Sequence, residues 1–147
     1  GDHRVLILRA DAADASTSSD EDKLKLEILG IGGDDAVNLA SQYSACSYGQ
    51  LTFSESTLGN GGSYSVSITV SVSGATNGVI RNAMYAKAEQ ELGSFQASNN
   101  DGTLDHILMC IPPGTSGTWV AYAYVNYFIS VYNDRWCEYP SGLMHEI

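Results

Sequence analysis

Apolar runs and alternating patterns predict a set of short strands. Val5 to Leu8 form an unbroken apolar run within Arg4 to Arg9, which is typical of a strand that is covered on both faces and lies at the centre of a sheet. His106 to Ile111 predicts a second buried strand. From Ser65 to Ser73, Val and Ile alternate with Ser and Thr, which predicts an edge or antiparallel strand with one hydroxyl-bearing face.

The clearest helix follows Thr76 or Asn77, either of which can cap its first turn. Its apolar residues recur every four positions, and a glycine is placed to end it. These residues are Ile80, Met84, Ala88, Leu92 and the terminal Gly93. A short helix is also expected over Lys23 to Leu29 after an acidic loop.

Two further helices are predicted from capping residues and spacing. Asp34 or Asp35 can cap a helix that runs through Ala36 to Tyr43 and stops near Gly49. A last helix is expected to begin near Ser141.

Several shorter extended segments complete the pattern. Gln50 to Ser54 is extended, and aromatic-rich strands are expected over Trp119 to Val125 and Phe128 to Tyr132. Strands and helices therefore follow one another without an internal repeat or a linker rich in Pro or Gly. The order predicts one α+β or three-layer domain over residues 1–147.

The charge balance excludes several classes of function. The 147 residues carry 7 Lys and Arg against 17 Asp and Glu, a formal net charge of -10. Such a charge repels phosphate backbones and anionic membranes, so we expect no nucleic-acid partner. No apolar run approaches the roughly 18 residues of a membrane-spanning helix, so no membrane insertion is expected. The many Ser, Thr, Gly, Asn and Tyr residues favour an extracellular, secreted protein.

The three cysteines are an odd number, so at least one has no partner within the chain. Cys110 lies in the apolar run of the second buried strand and is most simply interpreted as a buried thiol. This interpretation leaves Cys46 and Cys137 as the better candidates for a disulfide.

The last residues of the chain carry a candidate catalytic pair. His145 and Glu146 form the first half of the zinc-protease motif H-E-x-x-H. In that motif two imidazoles one helical turn apart hold Zn2+, and the Glu acts as general base toward the metal-bound water. A bare His-Glu pair is a weak signal, and the alternative interpretation is a frayed terminus.

The sequence that leads into this pair resembles the segment before the active-site helix of the gametolysin family of zinc metallopeptidases. The resemblance runs from Trp119 to Ile147 and is strongest over S-V-Y-N-D-R-W-C-E-Y-P-S-G-L-M-H-E-I, residues 130–147. Upstream, Asp34 to Phe53 is similar to a helix and strand of the family, through D-A-V-N-L from Asp35 and C-S-Y-G-Q-L-T-F from Cys46. The Arg4 to Arg9 strand fits as well, so the resemblance covers nearly the whole chain.

The resemblance implies a zincin fold. The chain would form its upper subdomain, a twisted mixed β-sheet with two main helices and the start of the active-site helix. His145 matches the first zinc ligand, and Glu146 matches the general base that deprotonates a zinc-bound water. The second and third ligands fall due after Ile147, so residues 1–147 are expected to be a truncated and inactive part of a catalytic domain.

The resemblance also implies a substrate and a place for it to bind. The parent protein would be a secreted endopeptidase that cleaves proteins or glycoproteins of the extracellular matrix or cell wall. Because extended substrates of zincins pair with the edge strand before the metal-binding helix, Trp119 to Val125 is the candidate strand. Tyr122 and Tyr124 would lie on one face of it as substrate-binding residues, and core aromatics are the alternative interpretation.

Other groupings carry weaker signals. Asn99 to Gly102 together with Asp105 could hold a structural Ca2+, although the spacing differs from an EF-hand loop and favours a solvated turn. His106 beside Asp105 suggests a catalytic triad, but no G-x-S-x-G segment occurs, so a buried, hydrogen-bonded histidine is expected. The alternative function is a non-catalytic secreted module that binds matrix glycoprotein or carbohydrate.

Overall fold

A mixed sheet of six strands forms the centre of the molecule. The computed structural model describes residues 1–33 and 36–147, with the backbone alone described at Ser141, Met144 and His145. The strands are β1 (Asp2–Asp11), β2 (Thr52–Glu55), β3 (Ser63–Ser67), β4 (His106–Ile111), β5 (Ala121–Ala123) and β6 (Ile129–Asn133). The helices are α1 (Glu21–Leu29), α2 (Leu39–Cys46), α3 (Asn77–Leu92), α4 (Phe95–Asn100) and α5 (Pro140–Glu146), with a 3-10 helix at Asp134–Glu138.

Strand β1 is central, as its unbroken apolar run predicts. Val5 to Leu8 are fully buried. β1 runs parallel to β2 and then β3 on one side and to β4 on the other. β6 continues the sheet parallel to β4, and β5 pairs antiparallel with β6 at the edge. The α+β fold class with a mixed sheet is therefore confirmed, and the sheet is consistent with a zincin-like subdomain.

Helices cover both faces of the sheet, because successive strand residues point to opposite sides. On one face, here called the α3 face, α3 and α4 pack on alternate residues of β1, β4 and β6. On the other, here called the α5 face, the cover consists of α1, α2, the 3-10 helix and α5. Each face buries its own apolar cluster. None of the helices in the described part of the chain is long and apolar enough to span a membrane.

Helix α3 follows its predicted boundaries. The Thr76 Oγ1 atom accepts a hydrogen bond from Val79 N at 3.3 Å, and the helix ends before Gly93. The buried residues of the helix are Ile80, Met84 and Ala88. A four-residue apolar repeat places one stripe of the helix on the sheet, so the repeat in the sequence predicts both the helix and its buried face.

The predicted helix before Gly49 begins later than expected. Asp34 and Asp35, the predicted caps, lie outside the described residues, and α2 begins at Leu39. Asn38 caps it, with its side-chain oxygen accepting from Ser41 N at 2.9 Å and its own N–H donating to Ser41 Oγ at 3.0 Å. This reciprocal pair satisfies two N–H groups at the helix start, so the local capping chemistry fixes the boundary.

The alternating segment from Ser65 to Ser73 is a strand over its first part only. β3 pairs with β1, and its strand ends at Ser67 because β1 ends at the partner residue Asp11. The later apolar residues Ile68 and Val72 still face the core. Alternation therefore gave the correct buried face, but the length of the partner strand limits the pairing.

The disulfide prediction was wrong. Cys110 and Cys137 are bonded, with their Cα atoms 5.9 Å apart, and Cys46 is exposed with a free thiol. Cys110 of β4 lies on the α5 face of the sheet, and Cys137 of the 3-10 helix packs against it in the same buried cluster. Burial in an apolar strand does not distinguish a thiol from a disulfide, because an apolar site holds a disulfide equally well when a second cysteine packs against it.

Candidate active site

The short strand β5 leaves a free backbone edge. Asn133 N donates to Val120 O at 2.8 Å and Tyr124 N donates to Ile129 O at 3.4 Å, both across to β6. Because backbone groups alternate in direction along a strand, the N–H and C=O groups of Ala121 and Ala123 point away from β6. Among the described strands, β6 alone pairs with β5. These alanine groups can therefore pair with an added extended peptide.

A tight turn joins β5 to β6 and stands out from the sheet. Tyr127 N donates to Tyr124 O at 3.2 Å, and Asn126 has a φ of 56°, a left-handed conformation that Asn tolerates better than most residues. At this tip Val125 is 91% exposed, and Tyr124 and Tyr127 are 40% and 46% exposed. The tip thus presents apolar and aromatic surface to solvent.

A cavity of about 700 Å³ opens beside this hairpin. One wall is the hairpin from Ala123 to Phe128, and the other walls come from α4, the start of β4 and the end of α5. Apart from the hairpin, the lining residues are Gln96, Asn99, Asp105, His106, Glu146 and Ile147. The lining combines two carboxylates with amides and an imidazole, so the cavity is polar and suits a peptide backbone.

The histidine at this cavity is buried and neutral at physiological pH. His106 Nε2 lies 2.9 Å from Ser130 Oγ, and both residues are buried. Burial, with a smaller effect from His3, lowers the pKa of His106 to about 4. Because Ser130 is fully buried, it cannot serve as a nucleophile. His106 is therefore a buried, hydrogen-bonded histidine, as the sequence predicts.

A buried tyrosine lies next to this pair on the α5 face. Burial raises the pKa of Tyr132, and the neighbouring Ser130 hydroxyl acts in the opposite direction. The nearby charge of Glu146 raises it further. Among the described residues the Tyr132 hydroxyl has no hydrogen-bond partner. The floor below α5 therefore contains polar groups within an apolar cluster.

Helix α5 brings Glu146 to the cavity. Pro140 occupies the first turn, where its missing N–H costs nothing. Leu143 is buried and Ile147 packs on the same apolar cluster, which fixes the helix face that carries Glu146. The predicted zinc ligand His145 lies within α5, but its side chain is outside the described residues. The roles of His145 and Glu146 remain predictions.

The two tyrosines predicted to bind substrate lie on the α3 face. The Tyr122 hydroxyl donates to Asn77 Oδ1 at 2.7 Å and accepts from Arg81 Nη1 at 3.0 Å. The Tyr124 ring lies 6.0 Å from the Tyr122 ring at a right angle and also borders the cavity. The two tyrosines share a face because side chains alternate along a strand. The contact of Arg81 with Tyr122 was not predicted, because a lone Arg on a helix gives no sequence signal. Whether either tyrosine binds substrate remains a prediction.

The side chains that the structure describes do not form a metal site by themselves. They contain no group of three or more His, Cys, Asp or Glu placed to hold a metal ion. A catalytic zinc needs three protein ligands, so these side chains alone do not fit one. The predicted calcium site gains no support, because the Asp101 carboxylate accepts from Thr103 N at 2.9 Å and Asp105 accepts from Arg4 N at 2.7 Å.

Comparison with known proteins gives one match. The sequence model of a family described as gametolysin peptidase M11 matches residues 3–147. No curated protein and no solved structure matches the chain. The match spans nearly the whole chain and agrees with the resemblance drawn from residues 130–147 and from the upstream segment.

Proposed function

Because the chain belongs to the gametolysin family of peptidases, M11, we propose that it is part of the catalytic domain of a secreted zinc endopeptidase. The substrates would be proteins or glycoproteins of the extracellular matrix or cell wall. The observation that carries this proposal is the position of Glu146, in a polar cavity next to the free edge of β5.

In this proposal His145 is the first zinc ligand, and the second and third ligands come from sequence after Ile147. A bound zinc ion supplies a Lewis acid that polarises a peptide carbonyl. The chain's own contribution is the Glu146 carboxylate, which takes the proton of the attacking water. His106 is neutral at physiological pH and adds no positive charge to the cavity.

The substrate would bind as an added strand on β5. The free N–H and C=O groups of Ala121 and Ala123 would pair with its backbone, and the small alanine side chains let the peptide approach the cavity. Backbone pairing orients the scissile peptide without regard to its side chains. The residues of the hairpin tip, Tyr124 and Tyr127, would then contact the substrate at one end of the cavity.

Secretion is supported by the disulfide between Cys110 and Cys137. Disulfides persist in oxidising compartments and are rare in the cytosol. The surplus of acidic over basic residues and the uncharged polar surface fit the same setting.

The test uses the full-length protein that contains this chain. We expect it to bind zinc and hydrolyse matrix protein, and Glu146→Gln to lower kcat by a factor on the order of 10²–10⁴. His145→Ala should remove the bound zinc as well as the activity. Glu55→Gln is the matched control, because Glu55 is an exposed carboxylate on β2, away from the cavity. Unchanged hydrolysis in Glu146→Gln would refute the proposal.

A second candidate function is a non-catalytic module that binds matrix glycoprotein or carbohydrate. The exposed aromatic rings of Tyr124 and Tyr127 at the hairpin tip favour it, since such rings stack on sugar faces. A full-length protein without zinc or hydrolytic activity that still binds matrix glycoprotein would support this alternative.

A further inference from the structure

A second, smaller cavity lies on the opposite side of the hairpin from Glu146. It measures about 210 Å³ and lies between α3 and the β5–β6 hairpin on the α3 face, with Met109 of β4 and Ile129 of β6 as its apolar floor. Its polar and aromatic walls are Arg81, Asn82, Tyr85, Tyr124 and Tyr127. Tyr124 borders both cavities, so the same edge strand separates two sites of different chemistry.

Arg81 is a partly buried cation with no carboxylate partner among the described residues. In the described part of the chain the ion pairs join Arg4 to Asp2, Arg9 to Asp11 and Lys87 to Glu91. This lack of an acidic partner within the described ranges stands out because the chain has more than twice as many acidic as basic residues. Because a partly buried charge is costly without an opposite charge, this Arg is suited to bind an anion from outside the chain.

Hydrogen bonds to Tyr122 and Asn82 hold the Arg81 guanidinium group in place and leave some of its N–H donors unused among the described residues. Arg81 Nη1 donates to the Tyr122 hydroxyl at 3.0 Å, and Nε and Nη2 donate to Asn82 Oδ1 at 3.2 and 3.1 Å. Its central carbon lies 5.6 Å from the centre of the Tyr124 ring. These contacts use three of the five N–H groups of the side chain among the described residues, which leaves donors for a carboxylate.

A substrate bound to β5 would present its side chains alternately to the two faces of the sheet. Side chains on the α5 face would meet the carboxylates of Asp105 and Glu146. Side chains on the α3 face would meet Arg81 and Tyr124. The edge strand would then distinguish neighbouring substrate residues by charge.

We propose that the cavity between α3 and the hairpin is a substrate subsite for an acidic side chain, with Arg81 as the residue that determines this specificity. The inference rests on the proposed function, since it concerns a peptide paired with β5. The Arg81 fork binds the Glu or Asp carboxylate of the substrate, and the Tyr124 ring packs along its stem.

The test compares pairs of peptide substrates that differ by Glu or Gln at one position at a time. The full-length protein should cleave the Glu peptide with a kcat/KM roughly tenfold higher at one position. Arg81→Gln should abolish this preference, and Arg81→Glu should favour Lys at the same position. Lys87→Gln is the matched control, because it removes one positive charge from the same helix outside this cavity and should leave the preference unchanged.

A second measurement does not depend on cleavage. In NMR spectra of the 147-residue chain, the Arg81 Nη–H signals should shift on addition of the Glu peptide and not of the Gln peptide. If Arg81→Gln does not fold, Arg81→Lys should keep a reduced preference, since Lys retains the charge but loses the fork. Equal rates for Glu and Gln at every position, or no selective shift, would overturn the subsite. A full-length protein that cleaves no peptide would count against the proposed function alone.

Discussion

The two faces of the sheet are held together in different ways. On the α3 face, one helix of 16 residues packs an apolar stripe on the strands and carries Arg81 to the edge strand. On the α5 face, the helices are short, the disulfide between Cys110 and Cys137 links the 3-10 helix to β4, and a buried pair of His106 and Ser130 lies below α5. Local sequence therefore builds the α3 face, whereas contacts between distant residues build the α5 face.

This difference bears on function, because Glu146 lies on the α5 face. Short elements need tertiary contacts to form at all. The candidate catalytic helix thus depends on a covalent link and on buried polar groups, and these can be disturbed without altering α3.

The largest effect is expected from opening the disulfide. Cys137→Ser should lower the free energy of unfolding by about 2–4 kcal/mol, because the crosslink restricts the unfolded chain over a sequence separation of 27 residues. Urea denaturation of the oxidised protein measures it. Cys46→Ser is the control, since this thiol is exposed and unbonded, and its midpoint should not move. Equal midpoints for both variants would contradict the prediction.

The next effect concerns the buried histidine of the α5 face. Since burial lowers the pKa of His106 to about 4 from the ordinary histidine value of 6.5, the unfolded chain binds a proton between these pH values and the folded chain does not. The contribution of neutral His106 to the free energy of unfolding should therefore be fully present above pH 6.5 and should be lost as the pH drops toward 4. The loss at pH 5 should be about 2 kcal/mol.

The comparison of wild type with His106→Gln isolates this effect from the carboxylates, which titrate in the same range in both proteins. The difference in unfolding free energy between the two proteins should shrink as the pH falls from 7 to 5. A constant difference across this range would show that His106 is not kept neutral by the fold.

The sequence predicted most of the elements but fewer of their contacts. The Arg4 to Arg9 run and the His106 to Ile111 run gave the central strands, and the four-residue repeat gave α3, because these patterns reflect burial directly. The end of β3 at Ser67 depends on the length of β1. No local pattern contains that information.

The candidate site was predicted through family resemblance rather than through periodicity. His145 and Glu146 alone form a weak motif. The resemblance of residues 130–147 to the gametolysin family is what identified the pair as a candidate metal ligand and general base. The disulfide was mispredicted because Cys110 and Cys137 are brought together by the packing of the 3-10 helix on β4, a contact between distant residues. Arg81 was missed for the same reason, since its partner Tyr122 lies 41 positions away in the sequence.

The smallest effect tests the link between α3 and the edge strand. Tyr122→Phe removes a hydroxyl that bonds to both Asn77 and Arg81, so the free energy of unfolding should fall by about 1–3 kcal/mol, near the lower end because the ring is only partly buried. Tyr139→Phe is the matched control, because Tyr139 is 49% exposed next to α5 and loss of its hydroxyl should have no measurable effect. The midpoints of urea denaturation of both variants, compared with the wild type, measure this loss of stability. If the two tyrosines prove equivalent, the Arg81 network does not hold β5 against α3, and the edge strand is positioned by its pairing with β6 alone.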